Sequence, residues 1–147
     1  YAHPISLWQE CGENDFLVFY FFAGQAQAHM TDPALTAFVR VMRERLGTVR
    51  LIGVNRHVIG QPFTGTPVIQ EDRGWDGPVV NQLHNHRPEE IVCIDSLATV
   101  VGRGGVNHAT LARVWRATGR PDSTWAQVRF EQLLSGAALL GTASYDD

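Results

Sequence analysis

The chain contains no lysine, and all twelve of its basic residues are arginine. No side chain here can form a Schiff base, hold a phosphate through an ammonium group or act as a lysine general base. Cysteine is scarce too. Cys11 and Cys93 stand far apart in the sequence and do not form the disulfide framework of a small secreted domain. Unpaired cysteines of this kind imply an intracellular reducing compartment, the cytoplasm or the mitochondrion. Long apolar runs are missing as well, since the longest, residues 16–23, is far below the roughly 18 residues that span a bilayer. Nor is there an excess of charge. With a net charge of −3 and a pI near 6.1, the chain lacks the electrostatic footprint of a nucleic-acid or acidic-membrane binder. The first residue is Tyr rather than Met, so no reading of a targeting segment is taken from it.

What is present is ordinary globular composition. The 147 residues are 44% hydrophobic and 18% charged, enough for one hydrophobic core. Residues 1–14 are polar and read as an N-terminal arm. Residues 16–22 are apolar on both faces, as expected of a strand buried between two helical layers. Asp32 before Pro33 is a helix start: an N-cap oxygen, then a residue whose missing N–H costs nothing at the first position. Leu35, Phe38, Val39, Met42 and Leu46 repeat at helical spacing, Gly47 ends the helix, and residues 48–54 read as a second buried strand. The stretch 55–74, with Gly60, Pro62, Gly65 and Pro67, reads as a long irregular segment. A short helix is expected from Gly77, a hairpin over 90–95 and 99–103 turning at 96–98, and a helix capped by Asn107. Asp122 or Ser123 starts a last helix, expected to run through about Leu134. Phe19, Phe21, Phe38, Met42, Val49, Leu51, Ile91 and Ile94 are expected to be buried together.

Between the aromatic strand and the Asp32-Pro33 helix lies Gln25-Ala26-Gln27-Ala28. Strand, short loop and helix N-terminus is an arrangement that acidifies a thiol placed at the helix end, yet no sulfur lies in this loop. The stretch resembles the tryparedoxin/nucleoredoxin branch of the thioredoxin-like superfamily, where an aromatic strand leads through Trp-Cys-Pro-Pro-Cys into a helix with Pro near its start. The second half is similar as well: Pro88 stands where that family has its hairpin-opening cis-proline, with one residue extra before the strand, and Val100-Val101-Gly102-Arg103 matches the outgoing hairpin strand. The resemblance covers about residues 15–118. It implies an α/β thioredoxin-like three-layer sandwich with a mixed central sheet, in a domain of residues 1–118, followed by a C-terminal helical extension, residues 119–147. It also implies that Gln25, Ala28 and Pro88 occupy degenerate redox-loop positions. An amide cannot attack a disulfide, and a methyl cannot resolve a mixed disulfide.

The expectation is therefore a redox-inactive domain acting as a protein-interaction or structural subunit of a larger assembly. Its partners would be other protein subunits, with no nucleic acid, no membrane span and no cofactor. Trp125, Val128, Phe130, Leu133 and Leu134 in the extension are the candidate partner-binding residues, because surplus apolar surface of this kind marks interfaces. The alternative is an enzyme. Gly102-Arg103-Gly104-Gly105 before a helix is similar to the pyrophosphate loop of acetyltransferases, which holds coenzyme A on backbone N–H groups. A one-cysteine redox protein would use Cys93 or Cys11. Three weaker patterns default to structure. Asn85 upstream of Cys93 lacks the His-Pro of ubiquitin-conjugating enzymes. His84-x-His86, with His57 or His29, lacks a completed ligand set for zinc. Residues 111–134 around Gly119 superficially fit a helix-turn-helix, against the acidic charge. Trp115 and Trp125 are read as apolar anchors.

Overall fold

A computed structural model describes the backbone of residues 7–56, 66–70, 78–84 and 87–146. Strand β1 (Phe16–Phe22) organises the rest, and all seven of its residues are buried. Alternation along a strand sends successive side chains to opposite faces. Phe16, Val18, Tyr20 and Phe22 therefore enter one apolar cluster, and Leu17, Phe19 and Phe21 enter another.

Parallel to β1 runs β2 (Val49–Asn55), and on its far side lies β3 (Val68–Gln70), also parallel. On the other flank β4 (Glu90–Asp95) pairs antiparallel with β1, and β5 (Val100–Gly105) returns antiparallel to β4 with a bulge at Cys93/Ile94. The sheet order is β3-β2-β1-β4-β5, leaving β3 and β5 at the edges.

Helices cover both faces. On the first lie α2 (Ala26–Met30), α3 (Pro33–Arg45), α5 (His108–Ala117) and α6 (Ser123–Asp146), which supply Met30, Phe38, Met42, Leu111, Trp115 and Phe130. On the second lie α1 (Leu7–Glu13) and α4 (Pro78–Leu83), with Cys11, Val80 and Leu83. This mixed sheet between two helical layers is the α/β thioredoxin-like fold.

The caps form as the sequence implies. Asp32 Oδ1 accepts from the Ala34 and Leu35 amides at 2.8 and 3.4 Å, and Asn107 Oδ1 accepts from the Thr110 amide at 3.0 Å. Such a cap stabilises a helix by about 0.5–2 kcal/mol. At the start of α6 the Asp122 carbonyl accepts from the Ala126 amide at 3.3 Å, while its carboxylate takes Trp115 Nε1 at 2.8 Å.

Several expectations are corrected. The irregular stretch contains β3, and residues 57–65 and 71–77 lie outside the described residues. The arm contains α1, which buries Cys11. A separate turn of helix, α2, precedes the Asp32 cap. The last helix continues to Asp146 instead of closing near Leu134. The eight core residues do not pack together: Phe19, Phe21 and Ile94 face α1 and α4, while Phe38, Met42, Val49 and Ile91 lie across the sheet with half-buried Leu51. Strand alternation separates them.

Candidate functional site

β1 and β2 end side by side, Phe22 opposite Asn55, and β4 begins beside them with Glu90 opposite Phe21. The connections after β1 and before β4 therefore meet at one end of the sheet. There Asn55, fully buried, uses its amide in both directions on one residue. Its Nδ2 donates to the Gly24 carbonyl at 3.0 Å, and its Oδ1 accepts from the Gly24 amide at 3.4 Å. A buried amide satisfied this way holds the loop against the end of β2.

Gln25 follows at the N-cap position of α2, extended in backbone and making no side-chain cap bond. Ala26 and Met30 point into the core, whereas Gln25, Gln27 and Ala28 are exposed. Met30 lies over β2 because position 53 is glycine: a Cβ there would stand 2.7 Å from the Met30 sulfur. His29 stacks on Phe22 with ring centroids 4.9 Å apart and 23° between planes, and Tyr20 lies 6.4 Å from the same imidazole. Burial pushes the Tyr20 hydroxyl up to about 12, and the Glu89 and Asp32 carboxylates push in the same direction. Glu89 reaches this corner through the turn before β4, where its amide donates to the Phe21 carbonyl at 2.7 Å.

Gln25, Ala28 and Pro88, the positions that the resemblance assigns to a redox loop, lie at the same end of the sheet. Gln25 and Ala28 lie at the start of α2, and Pro88 stands two residues before β4. No peptide bond among the described residues is cis, so Pro88 is entered through a trans bond. His29, Tyr20 and Asn55 are what this corner offers chemically. Only His29 was singled out from sequence, as a distant metal ligand. A polar residue directly after the apolar run 51–54 was the available signal for Asn55.

The two thiols lie away from this corner. Cys93 sits in mid-β4 opposite Val18, fully buried, and burial pushes its thiol up to about 12. Cys11 lies on the opposite face of the sheet, also buried, and its thiol is raised mainly by desolvation. A thiol raised by burial carries little thiolate at neutral pH, and the thiolate is the nucleophile.

The four residues from Gly102 to Gly105 are not a loop before a helix. They belong to β5, paired with Cys93, Val92, Ile91 and Glu90. Packing accounts for the first glycine, since a Cβ at Gly102 would stand 2.6 Å from Val114 Cγ2 on α5.

Of the five candidate residues in the extension, Phe130 is buried and meets Phe38 edge to face. Trp125, Leu133 and Leu134 are partly buried against the same cluster, with Trp125 tilted on Trp115 at 5.9 Å and Arg45 Cζ 3.5 Å from its ring. Val128 alone is exposed, at 51%, beside a groove of about 680 Å³ between α6 and His108. His84 is exposed after α4, while His57, Asn85 and His86 lie outside the described residues. Among the described residues no three His, Cys, Asp or Glu side chains are grouped to hold a metal, and no helix is long and apolar enough to cross a membrane.

No protein-family model matches the chain, and no curated protein matches it. Among solved structures it is similar to one described as Trgpx in apo form, at 15% identity and a TM-score of 0.49, over 73% of this chain and 82% of that one.

Proposed function

We propose that this chain is a thioredoxin-like domain without dithiol chemistry, working as a protein-interaction or structural subunit of a larger assembly. The observation that carries the reading is the content of the helix start after β1. Gln25 occupies the N-cap position, Ala28 the exposed position three residues on, and neither can exchange with a disulfide. Both thiols of the chain are buried elsewhere, on opposite faces of the sheet. A domain that keeps the layers and loses the sulfur retains shape and surface as its means of action. Membership of the tryparedoxin/nucleoredoxin branch is part of the same proposal, supported by the aromatic β1 and the Asp32-Pro33 helix start.

The test is reduction of insulin disulfides with dithiothreitol as electron source. The expected result is no turnover above the uncatalysed rate. Catalysis that disappears on alkylating Cys11 or Cys93 would overturn the reading. Affinity purification of the native chain followed by mass spectrometry should then recover stoichiometric protein partners.

A further inference from the structure

The chain carries net negative charge, and five of its arginines are matched to carboxylates. Arg45 and Arg120 pair with Asp122, Arg40 and Arg129 with Glu44, and Arg50 with Glu10. Two that are not lie beside edge strand β5. Arg103 and Arg113 line a cleft of about 360 Å³ together with His84 and Arg87, with Glu90 as the carboxylate in its wall. Among the described residues neither Arg103 nor Arg113 forms an ion pair. Both are instead fixed by backbone carbonyls. Arg103 Nη2 donates to the carbonyls of Leu83 and His84, the latter at 2.9 Å, and Arg113 Nη1 donates to the Arg103 carbonyl at 3.1 Å.

Anchoring of this kind spends few of the five N–H donors on each guanidinium. Arg103 keeps Nε–H and its Nη1 donors, and Arg113 keeps all but one. The two planar forks are held in place before any ligand arrives, which lowers the ordering cost of binding. An excess of positive charge in a concave wall attracts anions and favours those with several acceptor oxygens.

We propose that this cleft binds the phosphate group of a small phosphate monoester, with Arg103 and Arg113 as its principal ligands and His84 in its lining. A phosphate monoester carries about −1.5 to −2 charges at neutral pH and three acceptor oxygens, matching two guanidinium forks better than a carboxylate does. A cleft of about 360 Å³ accommodates that group with a modest organic substituent. Glu90 disfavours the anion and tunes the site toward ligands that engage both arginines. The site is independent of the sulfur-free loop and stands whether or not the domain is redox-inactive.

The experiment is NMR titration of the ¹⁵N-labelled chain with phenyl phosphate and, separately, inorganic phosphate, each at fixed ionic strength against chloride. Saturable shifts at the Gly104, Gly105 and Arg113 amides are expected with phenyl phosphate. Arg113→Gln should weaken binding roughly tenfold, as loss of a charge-assisted hydrogen bond implies, whereas Arg116→Gln on the same helix should leave it unchanged. Arg103→Gln also releases the end of α4, so the Arg113 variant, checked for unchanged melting, is the deciding one. Saturation by inorganic phosphate alone would assign the cleft to the free ion and overturn the monoester. Shifts spread over the surface, or equal in Arg113→Gln, would overturn the site.

Discussion

Phe38 and Phe130 meet edge to face across the α3–α6 contact, with ring centroids 6.3 Å apart and 83° between planes. Both are essentially buried, so α6 completes the first core cluster. Phe130→Ala and Phe38→Ala should each cost about 3–5 kcal/mol, the range for removing a large core aromatic. Deleting residues 120–147 should leave an aggregating or molten chain by circular dichroism and size-exclusion chromatography. A truncated chain that melts cooperatively near the parent temperature would show that α6 is dispensable to the core.

The Asp122 carboxylate joins three helices by accepting from Trp115 Nε1 at 2.8 Å, Arg45 Nη1 at 2.9 Å and Arg120 Nε at 3.1 Å. The Arg120 hydrogen bond, then those of Arg45 and Trp115, holds its carboxyl well below the usual range. Glu44 is lowered as well, chiefly by the hydrogen bond from Arg129. Both groups ionise more readily folded than unfolded, so their contribution is complete above the unfolded values of about 3.9 and 4.3 and is lost as pH falls through the folded ones. The urea midpoint should therefore drop between pH 6 and pH 3, and Asp122→Asn should lower it at pH 6 and flatten the drop. Trp115 and Trp125 report the transition by fluorescence. Equal slopes for parent and variant would remove Asp122 from the acid response.

The elements that were legible in the sequence are those whose signal is local. The Asp32-Pro33 and Asn107 caps sit within three residues of the amides they serve, and the seven-residue apolar run of β1 needs no partner to be recognised. The three-residue β3 is set by its pairing to β2, which a segment of turn formers does not announce. The corner at Gln25 was legible for its missing sulfur, while its Asn55 clamp depends on two residues 31 apart. The Arg103–Arg113 cleft was not legible, because the strands β4 and β5, the middle of α5 and the end of α4 converge only in three dimensions.

Cys93 and Cys11 should resist iodoacetamide in the native protein at pH 8. Cys93 is wholly enclosed, with its thiol pushed up to about 12, and Cys11 is 6% exposed with its thiol raised by burial. Intact-mass spectrometry should find the native chain unlabelled under conditions that modify both thiols in urea. Fast native labelling of Cys93 would revive the one-cysteine redox alternative.

Gly102 and Val114 test whether the β5 glycines serve packing. A methyl added at Gly102 meets Val114 Cγ2 at 2.6 Å, inside any tolerated contact, and the Val114 backbone nitrogen at 3.6 Å. Val114 is itself fully buried, so its side chain has little room to retreat. Gly102→Ala should therefore destabilise the fold by roughly 1–3 kcal/mol through overpacking. Val114→Ala alone leaves a cavity and destabilises as well. The double variant places the new methyl where the valine methyls were, so its loss should be smaller than the sum of the single losses. A favourable coupling of about 0.5–3 kcal/mol is expected from contacting residues, against near-additivity for independent ones. Additive losses would mean that the glycine is needed for something other than the approach of α5 to β5.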